Sequence, residues 1–203
     1  MTLHDETLQP ALRLGGLSLL GLGLVSLIHW GVENRIAANH TAALCQHIES
    51  VVPPGLFDND PLAEAVNLTE ARLQPAPATT IYPVRQQGRP VAWVIPAEAP
   101  DGYSGTITLL VAVAREGHLL GVRTLSHRET PGLGDKIEAE KSDWIRHFQG
   151  LALGNPPLTR WAVKRDGGDF DQFAGATITP RAVVKAVKKT LMWYEQHREW
   201  LGP

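Results

Sequence analysis

Apolar residues recur at helical spacing at the C-terminal end of the chain, where Val183, Val184, Val187, Leu191 and Tyr194 form one stripe and Arg181, Lys185, Lys188 and Lys189 lie off it. Thr179 and Pro180 stand at the start of that helix as N-cap and first helical residue. Alternating, β-rich runs occupy the middle of the chain. Thr80 to Val84 and Val91 to Ile95 flank the turn Gln86-Gln87-Gly88-Arg89, and Thr106 to Ala114 and His118 to Ser126 flank Arg115-Glu116-Gly117. Both read as hairpins, the second more clearly. Asp135 to Phe148 has the pattern of an amphipathic helix capped by Gly150, and Trp161 to Arg165 reads as a last short strand.

The N-terminal third is patterned differently. Met1 to Pro10 is polar and is expected to be disordered, whereas Ala11 to Val32 is apolar, with no charge between Leu14 and Ile28. A bilayer core needs about 20 apolar residues, so a membrane-spanning helix over 11–32 is expected if Arg13 snorkels and Trp30 lies in the interface. The competing reading is a signal peptide cleaved after Ala37 or Ala43, against which the acidic Asp5 and Glu6 count. Charge alone does not orient the segment. Glu33 to Val52 continues as a stalk helix, with Ile36, His40, Leu44 and Ile48 on one face, and stops at Pro53-Pro54-Gly55. A short helix is expected over Pro61 to Leu73 and a connector over Pro75 to Thr79. The expected organisation is a terminus (1–10), a spanning helix (11–32), a stalk and connector (33–75) and one domain (76–203).

The order of strands, hairpin, helix, strand and helix lacks βαβ alternation. An α+β domain with a curved, mostly antiparallel sheet fits better than a Rossmann sheet. No internal repeat is visible. The chain has 203 residues and a formal charge of −2, which gives no sign of a nucleic-acid partner. Its single cysteine, Cys45, allows no internal disulfide, and its eight histidines include no closely spaced ligand pair, so no metal site is expected.

Candidate chemistry concentrates in Asp171-Gln172-Phe173-Ala174-Gly175-Ala176-Thr177-Ile178-Thr179-Pro180. Gly175 and Ala176 leave the Thr177 hydroxyl accessible beside a helix start. Arg181 and Lys185 oppose the helix macrodipole there, a placement that an anion such as phosphate would explain. Gly-Ala-Thr alone is common in ordinary loops. Upstream, His127 to Gly134 carries Pro131, Gly132 and Gly134 within a few residues, so its backbone can bend tightly and approach a flat ligand. Glu129 reads there as a backbone acceptor and not as a general base, and no paired acid suggests hydrolysis.

Asp171 and Gly175-Ala176-Thr177, together with Glu129-Thr130-Pro131-Gly132-Leu133-Gly134, resemble the FMN-binding domain family whose flavin is joined through its phosphate to a threonine. Within it, the chain is similar over its whole length to the G subunits of Rnf (Rsx) electron transport complexes. The close alternative is a likeness to the C subunits of sodium-translocating quinone reductases, which are usually longer.

The resemblance implies covalent FMN on Thr177, attached by a flavin transferase, with Gly175, Ala176 and Thr179 around the link. Thr130, Gly132 and Leu133 are placed near the ring. Tyr103 is a candidate stacking partner, and Lys136 and Arg181 are candidate phosphate contacts. The family has Ser or Thr where this chain has Ala174, which bears on transferase recognition. The resemblance also implies an electron relay without independent catalysis, between NADH and ferredoxin, in a multisubunit complex coupled to ion movement. That complex sits in the bilayer of the cell inner membrane, with the domain on the periplasmic side. A noncatalytic structural protein with a vestigial motif is the contrasting class.

Overall fold

The computed structural model describes residues 3–68 and 80–201. The chain divides into two compact units, Met1–Leu44 and Cys45–Pro203. The first is helical throughout its described length, as part of α1 (Leu3–Val51), which takes in most of the stretch expected to be disordered. The spanning helix expected over 11–32 is overturned: among the described residues, no helix is long and apolar enough to cross a membrane. The physical reason lies in the run itself. Leu14 to Ile28 at 1.5 Å per residue extends only about 22 Å against a hydrocarbon core of about 30 Å. It is further diluted by Gly15, Gly16, Ser18, Gly21, Gly23 and Ser26.

The second unit is built on a five-stranded antiparallel meander in sequence order. Its strands are β1 (Val66–Asn67), β2 (Thr80–Gln86), β3 (Arg89–Ala99), β4 (Ile107–Ala114) and β5 (Leu119–Ser126). Both expected hairpins form. Gln87 and Gly88, at φ 50° and 74°, give β2–β3 the two positive-φ positions of a type I′ turn, whose twist matches that of the strands. Arg115-Glu116-Gly117 joins β4 to β5, and the Ala114 N–H reaches the His118 carbonyl across it. β4 is buried on both faces, which explains its nearly continuous apolar sequence. Trp93, Ile95, Leu109, Val111 and Val113 contribute to the main core under α2 (Ile178–Leu201). On the other face, Val94, Ala112 and Gly121 lie in register across β3, β4 and β5. The end of α1 rests there: a Cβ at Gly121 would stand 2.8 Å from the Val51 carbonyl oxygen.

The stripe on α2 is buried as its spacing requires, with Val183, Val184, Val187, Leu191 and Tyr194 all in the core. The helix begins earlier than its cap residues suggested. Ile178 is its first residue, and the Thr177 carbonyl accepts the Arg181 N–H at 3.3 Å, so Thr177 holds the N-cap position. Thr179 is buried inside the first turn. Pro180 is third, still among the positions whose nitrogens need no intrahelical partner.

Three other expectations fail locally. Over Pro61 to Leu73 the described residues form turns followed by β1, not a helix; the rest of that segment and the Pro75 to Thr79 connector lie outside the described residues. Asp135 to Phe148 is not one α-helix but two 3₁₀ segments, Gly134–Ile137 and Asp143–Phe148. Extended backbone at Glu138 and Ser142 separates them, and the Ser142 hydroxyl accepts the Trp144 N–H to start the second. The apolar pattern survives because Ile137, Trp144, Ile145 and Phe148 still point inward. Trp161 to Arg165 is not a strand: tight turns at Leu158–Arg160 and Lys164–Asp166 leave only an isolated bridge between Val163 and Phe170.

Candidate functional site

Three segments distant in sequence meet at the N-terminus of α2. Two of them are β-turns of the same design. In Thr130-Pro131-Gly132-Leu133 the Leu133 N–H donates to the Thr130 carbonyl at 3.1 Å, and in Phe173-Ala174-Gly175-Ala176 the Ala176 N–H donates to the Phe173 carbonyl at 3.1 Å. Gly132 and Gly175, each at φ 78°, occupy the third position, where a type II turn needs the left-handed region. The third segment is the Gly102 to Gly105 bend before β4. The turns aim side chains at one place: a Cβ at Gly175 would lie 3.7 Å from Leu133 Cδ2.

Together the segments line a cleft of about 300 Å³, with Thr177 half-buried in its wall. Thr130, Glu129, Gly134, Gly175, Ala176 and Thr179 complete the lining with Tyr103, Leu133 and Ile178. Those last three are large apolar side chains that stay exposed, at 67%, 42% and 43%. Outside α1, the other large exposed apolar side chains among the described residues are only Leu158 and Trp200. Their gathering on one rim marks a surface built to be covered.

Of the residues expected at the site, Tyr103, Thr130, Leu133, Gly175, Ala176, Thr177 and Thr179 are brought together there. Gly132 shapes the turn from behind, and Lys136 is exposed outside the lining. Arg181 lies outside it too, its guanidinium bound to Asp166 at 2.6 and 2.8 Å. That hydrogen bond holds the Asp166 carboxyl below the usual carboxylate range. Lys185 is likewise paired with Asp101. The two cations at the helix start therefore have carboxylate partners, and their placement needs no bound anion to explain it. Asp171 is paired with Lys164 at 2.5 Å, and its backbone carbonyl accepts Trp144 Nε1–H at 2.8 Å. It holds the turn in place from outside.

Two features escaped the sequence. Ile178 sits between the two threonines, off the buried stripe, and the only hint of its role was a large apolar residue with no core to join. Glu129 is the acceptor that the loop suggested, but nothing in the sequence revealed its burial. It is 4% exposed, accepts the Tyr103 and Ser104 N–H groups at 3.3 and 2.9 Å, and receives the Thr179 hydroxyl.

Cavity size alone does not select this site. A larger cleft of about 450 Å³ is lined by Trp144, Leu151, Pro156 and Phe170, but its carboxylates are already engaged, Asp169 with Arg160 and Asp171 with Lys164. The Thr177 cleft joins a half-buried threonine to apolar walls. A volume near 300 Å³ is at the lower end of the roughly 300–1,000 Å³ usual for ligand pockets.

A family model described as the FMN-binding domain matches residues 102–192, a span that begins at the Gly102 bend and ends within α2, so it contains the whole cleft. The class of protein is thereby a flavin-binding one. The G subunit of an ion-translocating oxidoreductase complex from Pseudomonas aeruginosa is 49% identical over 198 residues, covering 96% of this chain and 91% of that protein. Its counterpart from Shewanella oneidensis is 41% identical, covering 97% and 93%, and that from Yersinia pestis is 48% identical, covering 85% and 83%. The chain belongs to the family of ion-translocating oxidoreductase complex G subunits, with an FMN-binding domain.

Proposed function

We propose that this chain relays electrons through FMN joined by a phosphoester to Thr177, as one component of an Rnf-type complex that couples electron transfer between NADH and ferredoxin to ion translocation. The observation that carries this reading is the half-buried Thr177, set in the wall of a cleft rimmed by exposed Tyr103, Leu133 and Ile178. Bound flavin supplies the one- and two-electron chemistry; the protein supplies position and surroundings. Thr177 at the N-cap offers its hydroxyl at a helix N-terminus, where the first backbone N–H groups have no intrahelical partner, a favourable place for phosphate oxygens. Leu133 and Ile178 present apolar surface to a flat ring, and Tyr103 presents an aromatic face. A flavin transferase attaches the group from a flavin dinucleotide: the Thr177 oxygen bonds to the flavin-side phosphorus as the bond to the nucleotide half breaks, AMP leaves and the hydroxyl proton passes to solvent. Exposed Ala174 lies on the turn that such an enzyme would read. The remaining components of the complex supply the partners for electron transfer. By family resemblance the complex belongs to the cell inner membrane, with this domain on its periplasmic side.

The test is peptide mapping of the full chain produced alongside a flavin transferase. FMN is expected on Thr177, and Thr177→Ala is expected to lose covalent fluorescence in denaturing gels while keeping its fold. Losing one half-exposed hydroxyl costs about 1 kcal/mol or less. Flavin on Thr179, or none on the wild-type chain, would overturn the assignment.

A further inference from the structure

Glu129 lines the cleft yet belongs to neither turn as a ring-covering residue. We infer that it is the positioning residue of the attachment site: its buried carboxylate fixes where Thr177 stands relative to the loops on either side. This inference rests on the reading of Thr177 as the flavin-bearing residue.

Every contact made to the carboxylate is a donor. Ser104 N–H reaches Oε1, Tyr103 N–H reaches Oε2, and the Thr179 hydroxyl donates to Oε2. A carboxylate that is 4% exposed needs these donors to offset its lost hydration. The donors come from partners 25, 26 and 50 residues away in sequence, so one side chain ties the 102–105 bend and the first turn of α2 to the 127–134 loop. Thr179 follows Thr177 by two residues inside that rigid turn. Holding its hydroxyl therefore holds the helix start that carries the Thr177 side chain.

The surrounding space is cut to this group. A Cβ at Gly134 would stand 2.9 Å from Glu129 Cβ and 2.9 Å from Thr179 Oγ1, and a Cβ at Gly102 would stand 3.0 Å from Glu129 Oε1. The backbone of Glu129 is pinned as well. Its N–H donates to His127 Nδ1 at 3.0 Å, and Nε2 of the same ring is hydrogen-bonded to Glu138 Oε1 at 2.8 Å. A relay of fixed contacts thus runs Glu138, His127, Glu129, Thr179. A carboxylate in the wall of the cleft has a second consequence. Its negative charge opposes the gain of electrons by a flavin bound there, so removing the charge raises the reduction potential.

A merely structural role would lower stability without touching loading or potential, and this separates the two. Glu129→Gln keeps the shape and an acceptor for Ser104 while removing the charge. In the full chain produced with a flavin transferase, it is expected to slow covalent loading about tenfold or more, since misplacement by 1 Å costs up to about 100-fold. The flavin that does attach is expected to show a raised midpoint potential. Thr179→Val reaches the same contact from the other partner and keeps the test open if Glu129→Gln does not fold. It is expected to slow loading, and Thr179→Ser, which retains the donor, to recover most of the rate. Wild-type loading by Glu129→Gln and Thr179→Val, with unchanged potential for Glu129→Gln, would overturn the inference while leaving Thr177 as the attachment residue. Absence of flavin from Thr177 in the wild-type chain would overturn both.

Discussion

Replacing Thr179 by valine measures how firmly the first turn of α2 is held. Thr179 is fully buried, its hydroxyl donates to the buried Glu129 carboxylate, and valine has nearly its shape. The substitution removes a donor without opening a cavity. A hydrogen bond to a charged group contributes about 1.5–3 kcal/mol, and the carboxylate left behind cannot readily recruit water in its place. For a unit of about 160 residues, at roughly 2–4 °C per kcal/mol, the melting temperature should fall by about 3–12 °C. Thr190→Val is the internal control. Thr190 is also buried, but its hydroxyl donates at 3.0 Å to the Ala186 carbonyl one turn back in the same helix. Loss of such a neutral back-bond should cost about 1 kcal/mol or less. Thermal unfolding of the full-length variants, followed by near-ultraviolet circular dichroism, compares the two. Equal shifts, or a Thr179→Val shift of the size of an exposed cap, would refute the assignment of Glu129 as a charged anchor.

Leu133→Ala should leave flavin attached while changing its potential or solvent accessibility, because this cleft-lining side chain is proposed to cover the ring and not to hold the phosphate; redox titration of the loaded chain reads this, and an unchanged potential and electron-transfer rate would remove Leu133 from the site. Gly121→Ala should destabilise the domain by about 1–3 kcal/mol, since the new methyl meets Val51 backbone rather than a side chain that can move; a neutral effect in denaturant titration would mean that α1 does not end against the sheet. Asp101, Asp135, Glu138 and Asp166 all have carboxyl groups held below their ordinary values. Asp101 and Glu138 owe this chiefly to hydrogen bonds from Lys185 and Lys141, Asp135 to the Gly132 backbone and then Lys141, and Asp166 to Arg181. A depressed folded-state pKa contributes stability that is complete above the unfolded value and is lost as pH falls through the folded one. Melting temperature should therefore be steady near neutrality and drop only below about pH 4.5, and a drop already at mildly acidic pH would refute this account.

Periodicity by itself determined the two hairpins and the buried stripe of α2, because strand alternation, turn residues and a 3.6-residue repeat are local properties that burial merely ratifies. The residues around the Thr177 cleft were legible for a related reason. Pro131-Gly132 and Ala174-Gly175 encode tight turns whatever surrounds them, and the order of the two motifs carries the family likeness. The tertiary structure decided what these local signals were for. Whether the Leu14 to Ile28 run amounts to a membrane span depends on its length and glycine content, and leucine richness alone misjudged it. Asp135 to Phe148 kept its inward-facing residues but lost its helix, since Glu138 found partners in His127 and Lys141 with its backbone extended. Thr179 looked like a cap and became a buried donor. Arg181 and Lys185 looked unpaired until folding brought Asp166 and Asp101 to them. Hydrogen bonds and ion pairs between residues 15 to 84 positions apart leave no periodic trace in a sequence, and only the folded chain shows which groups they join.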